Sequence, residues 1–189
     1  MARPISKKTH IETAAIKLFS RKGLAATTLK DIALEAGATE GALYRHYKSK
    51  NSMAWQLFSQ ELKSFTDLLL PILQSRASFP DRLADAIRYI YGYYAQHPDR
   101  FSFILLSQHN FPEQAILDET NNPNDMAINF IRRGITEGDI TDQDPVLLAG
   151  LLMGAILQPL IMHGYGRLSV NDQTVEMVIE ACQRLVGCS

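Results

Sequence analysis

Between Thr28 and Tyr47 the chain carries two short helical runs, each opened by a threonine, on either side of Ala36-Gly37-Ala38. No other feature constrains the fold as much. Thr28 can cap the amides of a first helix reaching Glu35, with Asp31 placed for the reciprocal contact of a capping box. Thr39 can cap a second helix reaching about Tyr47, and the glycine supplies the turn between them. Ala33 is small where two crossing helices approach closely. The spacing therefore predicts a helix-turn-helix, which meets DNA by laying its second helix in the major groove while the first crosses the backbone.

Helical periodicity dominates the rest of the chain, and no run of alternating β-branched residues competes with it. Ile11, Ala14, Ala15, Leu18 and Phe19 form one apolar face of a first helix, which Gly23 stops. Ser49 opens a longer helix toward Pro71. Pro80 fits the first position of a helix bearing Leu83, Ile87, Ile90, Tyr91 and Tyr94. His97-Pro98 restarts the chain into a helix from Phe101 to Gln108, and further helices are predicted over Asp125 to Glu137, Asp144 to about His163, and Asn171 to Val186. The expected fold is all-α, with about nine helices: an N-terminal three-helix head over residues 1–50 and a helical body over 51–189. Residues 109–124 hold two prolines and four asparagines. They read as an irregular segment suited to gating or binding, with a helical turn around Ala115.

The net charge of −1 hides an asymmetry. Residues 1–55 hold ten Lys or Arg against four Asp or Glu, and residues 56–189 hold nine against sixteen. A basic head on an acidic body suggests that the head meets a polyanion. The two cysteines, Cys182 and Cys188, make neither a disulfide framework nor a metal quartet, so a cytoplasmic setting is expected, with no metal and no cofactor. The N-terminus lacks the apolar run of a secretory signal. Val146 to Met162 is apolar except for Gln158 and reaches the lower limit for a bilayer span. Pro159 would break its hydrogen-bond ladder and acidic residues stand just upstream, so a buried interface helix is expected rather than a membrane segment.

On the second helix of the motif, Leu43 and Tyr47 should point inward with Ile32, Ala36 and Phe19. That leaves Thr39, Glu40, Ala42, Tyr44, Arg45 and His46 facing DNA. Arg45 can offer paired donors to guanine, and Ala42 can approach a thymine methyl. Tyr44 and His46 can reach phosphates. Lys48 and Lys50 add charge to the start of the following helix, and Thr28 with Lys30 offers the same chemistry at the start of the first.

The run from Ile11 to Trp55 resembles the DNA-binding module of the TetR family of bacterial transcriptional regulators. The residues that carry the likeness are Ala14-Ala15, Leu18-Phe19, Gly23, Thr28, Ile32-Ala33, Ala36-Gly37, Gly41, Leu43-Tyr44, His46-Tyr47 and Ser49-Lys50. The resemblance implies that Tyr44, His46 and Lys50 are phosphate contacts, and that Thr39, Glu40, Ala42 and Arg45 are reading positions. Tyr47 stands where the family more usually has phenylalanine, a packing change. Glu40 puts an acid where phosphate would repel it, so it accepts from cytosine or orients Arg45.

For the larger half the resemblance implies a homodimer joined through the helices at 144–163 and 171–186, reading a palindromic operator in double-stranded DNA. Gly150 and Gly154, with Ala149 and Ala155, independently suit close approach of two helices. The resemblance also implies a small-molecule effector in this half that shifts the heads and weakens operator binding. Candidate effector residues are Phe101, Phe103, Ile104, Ser107, Gln108 and His109, with Phe111, Met126, Phe130 and Met153 as apolar walls and Tyr91 and Tyr94 as polar tips. Cys182 is expected in the core and Cys188 in the tail. Arg3, Lys7 and Lys8 form an arm that either is solvated or touches DNA. The rival readings are a helical enzyme and a DNA-independent adaptor using the same half. No GxGxxG, P-loop, HExxH or Ser/His/Asp spacing supports catalysis.

Overall fold

The computed structural model describes residues 6–107, 111 and 122–187. Among them are nine α-helices and no strand: α1 (Lys7–Ala26), α2 (Leu29–Glu35), α3 (Glu40–Tyr44), α4 (Lys50–Leu73), α5 (Phe79–Gln96), α6 (Pro98–Ser107), α7 (Pro123–Glu137), α8 (Pro145–Gly164) and α9 (Asp172–Leu185). The all-α reading holds. Gln108, His109, Arg3, Cys188 and the helical turn expected at Ala115 lie outside the described residues.

Two compact units make up the chain: Met1–Ser64 with Tyr94–Ile116, and Phe65–Tyr93 with Leu117–Ser189. The backbone passes from one to the other inside α4 and inside α5.

In the first unit α1 buries Ile11, Ala14, Ala15, Leu18 and Phe19, the face its periodicity predicted. Gly23 breaks it, with φ of 78° and ψ of 164°, and one further turn follows before Thr27. The α6 helix packs along α1. Phe103 stacks on Phe19 with ring centroids 5.6 Å apart and meets the edge of Phe58 at 6.4 Å. Arg100 places one guanidinium nitrogen 3.0 Å from both carboxylate oxygens of Glu61, fastening α6 to α4.

In the second unit Phe79 stacks on Phe130 at 4.5 Å. The α7 helix comes so close there that a Cβ on Gly134 would lie 2.7 Å from the Phe79 ring. Beneath these rings Arg82 is almost wholly buried, its guanidinium 5.8 and 5.7 Å from the two ring centroids. It donates to Glu137 at 2.6 Å and to Asp139 at 3.4 Å. Tyr91 donates to the carbonyl of Ile156 at 3.0 Å, tying α5 to α8. Cys182 is buried with its thiol pushed up to about 11 by that burial, in keeping with a core role.

Several boundaries differ from expectation. The second motif helix ends at Tyr44 rather than Tyr47: the His46 amide shares the Leu43 carbonyl with the Tyr47 amide, at 2.9 Å each, so the last turn tightens away from the α-helical pattern while Tyr47 stays buried. Asn122 caps α7 ahead of Pro123, two residues before the expected start. Ser78 accepts from the Asp81 amide, which puts Pro80 second in α5 rather than first. The α8 helix, by contrast, keeps the expected extent and runs through Pro159 to Gly164. Proline removes a single ladder bond, and Leu148, Leu152, Ile156 and Leu160 are buried on both sides of it.

Candidate nucleic-acid interface

The motif assembles from local chemistry. The Thr28 hydroxyl accepts from the Asp31 amide at 3.1 Å while the Asp31 carboxylate accepts from the Thr28 amide at 3.0 Å, completing the predicted capping box. The bond from the Thr28 amide, and then a 2.8 Å bond from the Thr28 hydroxyl to the same carboxylate, hold the Asp31 carboxyl below the usual range. Gly37 takes φ of 61° in the turn, a conformation that side chains with a Cβ resist. Thr39 then accepts from the Ala42 amide at 3.3 Å and starts α3.

On α3 and the turn after it, Leu43 and Tyr47 are buried, and Ile32 and Phe19 are buried alongside. Ala36 and Ala42 are half-buried. Thr39, Glu40, Tyr44, Arg45, His46 and Lys48 are exposed, as are Thr28 and Lys30. Tyr44 stands out with 57% of its surface free. Lys30, Arg45 and Lys48 enter no salt bridge among the described residues, so their charge remains available to a polyanion. Lys17, by contrast, donates to Glu35 and holds that carboxyl below its usual range. The geometry thus sets a row of outward polar and charged side chains on and just after a short capped helix.

Two contacts escaped sequence reasoning, because each joins residues more than twenty positions apart and spacing carries no trace of them. The Tyr47 hydroxyl donates to Glu12 on α1 at 2.7 Å. Burial first, and then Glu12, push the Tyr47 phenol above its ordinary range. Lys50, expected on a phosphate, instead directs its ammonium at carbonyl oxygens of Leu24 and Thr27, both at 2.7 Å, and of Ala25 at 3.4 Å.

The expected effector residues fall in both units. Phe101, Phe103, Ile104 and Ser107 are buried on α6, with Tyr94 edge-on to Phe101. Phe111 lies 5.1 Å from Trp55 and 5.0 Å from Phe58. In the second unit Tyr91 is held by Ile156 and Met153 is half-buried. Met126 and Phe130 line a cleft of about 270 Å³ that also touches Leu70, Leu73, Gln74, Asn129 and Arg133.

The outward side of α8 is apolar. Val146, Leu147, Leu151 and Met162 are exposed, and Gly150 and Gly154 open onto free space. By length and composition α8 could cross a bilayer, and only 28% of its most apolar stretch is buried within the chain. On α9, Met177 and Leu185 are also exposed, with Ala181 between them.

A capped helix-turn-helix with an exposed row of polar side chains, among described residues that otherwise form only helices and turns, is the architecture of the class of helix-turn-helix transcriptional regulators. The sequence model of bacterial regulatory proteins, tetR family, matches residues 11–60. The transcriptional repressor KstR2 of Mycobacterium tuberculosis is 31% identical over 144 residues, which cover 70% of this chain and 68% of that one. The chain belongs to the TetR family. It spans about a third of the length of the first curated relatives it matches; with the transcriptional regulator YerO of Bacillus subtilis it shares 32% identity over 109 residues, 57% of this chain and 37% of that one. Among solved structures, a tetR-family regulatory protein from Rhodococcus RHA1 superposes with a TM-score of 0.83 at 22% identity, covering 98% of this chain and 99% of that one. FadR of Bacillus subtilis, solved with stearoyl-CoA, gives 0.75 at 18% identity over 96% and 99%.

Proposed function

We propose that the protein is a cytoplasmic repressor that binds a palindromic operator as a homodimer and is released by a small, largely apolar effector. The observation that carries this reading is the exposed row Thr39, Glu40, Tyr44, Arg45 and His46 on and beside a capped α3, within a head, residues 1–50, that is basic while residues 51–189 are acidic. Arg45 and Glu40 read base edges with Thr39 and Ala42, while Tyr44, His46, Lys48, Lys30 and Thr28 fix the register on phosphates.

A second copy of the chain covers the apolar side of α8 and α9. Two glycines on the exposed face of α8 favour a helix partner over lipid, because they let a second backbone come close. Two heads roughly 34 to 36 Å apart then read the two halves of a palindrome. For the effector, the cleft beside Met126 and Phe130 is the supporting feature. At about 270 Å³ it falls just below the usual range of ligand pockets, roughly 300 to 1,000 Å³, which suits a small effector.

The test is selection of duplexes from a random pool by the purified protein, followed by binding at several salt concentrations. The reading expects a palindromic consensus and an affinity that falls steeply with salt. Recovery of no consensus at any salt overturns it.

A further inference from the structure

We infer that Lys50 is a staple across the base of the helix-turn-helix and a positioning residue for the reader, and that it does not contact the DNA backbone. A lysine ammonium has three N–H donors and no acceptor. Here the ammonium faces three oxygens, the carbonyls of Leu24 and Thr27 at 2.7 Å and that of Ala25 at 3.4 Å. Leu24 and Ala25 belong to the last turn of α1, where carbonyls have no amide partner within the helix and where the helix dipole favours a cation. The site therefore satisfies the lysine and the helix end together. A phosphate would have to displace bonds that are already made.

The placement of the bond gives it a function. Thr27 is the residue before the Thr28 cap of α2, and Lys50 is the first residue of α4. The bond from Lys50 to the Thr27 carbonyl joins positions 23 apart and closes a loop that contains α2, the Gly37 turn and α3. Nearby, the Thr27 hydroxyl donates to the Gly23 carbonyl at 2.8 Å, tying the same corner to the break in α1. Lys50 thus fixes the two ends of the motif against each other, and with them the angle at which α3 is offered. Shape matters as well as charge: three oxygens converge on one nitrogen, a geometry that the planar fork of arginine does not match.

The staple itself is judged on the free protein, and its consequence for DNA rests on the function proposed above. The wild-type protein labelled with ¹⁵N should show a slowly exchanging Lys50 ammonium in NMR spectra without DNA, unchanged when a selected duplex is added. An ammonium that exchanges fast alone and slows only with duplex overturns the inference. Lys50→Met and Lys50→Arg should both speed amide exchange across residues 28–47. Both should weaken duplex binding roughly ten- to hundredfold, the range for a lost hydrogen-bond set to a charged group. Neither should change the slope of log affinity against log salt. A phosphate contact predicts the opposite: a slope shallower by about 0.9 per head in Lys50→Met, restored in Lys50→Arg, with amide exchange untouched. Should Lys50→Met fail to fold, the wild-type ammonium and Lys50→Arg still decide. If no duplex is ever selected, the regulator reading falls, while the ammonium and amide exchange of the free protein still pass judgement on the staple.

Discussion

Tyr47 and Glu12 are joined by a 2.7 Å hydrogen bond from the phenol hydroxyl to the carboxylate, and that bond fastens the end of the helix-turn-helix to the first helix. The ring is buried, so phenylalanine would fill the same space without the bond. Tyr47→Phe should lower stability by about 1 kcal/mol, the usual net value of one hydrogen bond. The alkaline limb adds a sign. The Tyr47 phenol is raised in the folded state, so its contribution is whole below the unfolded value of 10.0 and is lost as pH rises above it. Urea melts of wild type and Tyr47→Phe from neutral pH upward should converge above that point. A constant gap between the two curves would refute the assignment.

Arg45 and Lys48 are both exposed, yet they should fail in different ways. Arg45→Ala should change the selected consensus, with a loss of roughly 1 to 3 kcal/mol against the original site. Lys48→Ala should weaken all duplexes alike and lower the salt slope by about 0.9 per head. Competition among single-base variants of the selected duplex, repeated at several salt concentrations, separates the two. An unchanged consensus in Arg45→Ala removes that residue from the reading set.

Much of the head was legible because its signals are local. Thr28 and Asp31, Thr39 and Gly37 act within four residues, and periodicity exposed the buried face from Ile11 to Phe19. The same reasoning carried α3 on to Tyr47, because the four-residue spacing from Leu43 reads as helix, and it gave no sign of the bond from Tyr47 to Glu12, 35 positions away. It also assigned Lys50 to phosphate, from its charge at a helix start and from family likeness, and gave no sign of the carbonyls that the ammonium meets at the far end of another helix. The α6 aromatics show a further limit. An aromatic residue at helical spacing such as Phe103 is core more often than pocket, and its neighbours Phe19 and Phe58 display the packing it makes.

Gly134 is required by close approach rather than by backbone angle. A Cβ there would meet two ring carbons of Phe79 at 2.7 Å and the tip of Ile140 at 3.3 Å. Phe79 is fully buried and stacked on Phe130, so it has little room to move. Gly134→Ala should therefore destabilise by about 1 to 3 kcal/mol through overpacking, although alanine is the better helix former. Thermal melting of the variant checks this, and a raised midpoint would contradict it.

Glu137 accepts from Arg82 and from Arg133, both at 2.6 Å. The hydrogen bond from Arg82, and then that from Arg133, hold its carboxyl below the ordinary value of 4.5. A lowered carboxyl contributes its stability fully above the unfolded value, and that stability is lost as pH falls through the folded one. Wild type should thus weaken progressively below about pH 4.5, and Glu137→Gln should be less stable near neutrality with a shallower acid limb. Parallel acid limbs in urea titrations would show that Glu137 carries no such linkage.

The brevity of α3 sets how much text a lone reader can take in. Five residues make less than two turns, and their side chains span only a few base steps. So short a word recurs by chance throughout any genome, where unintended sites outnumber the intended one enormously. An address that is unique must be spelled by more than one such helix, and the meaning of each half lies in its distance from the other.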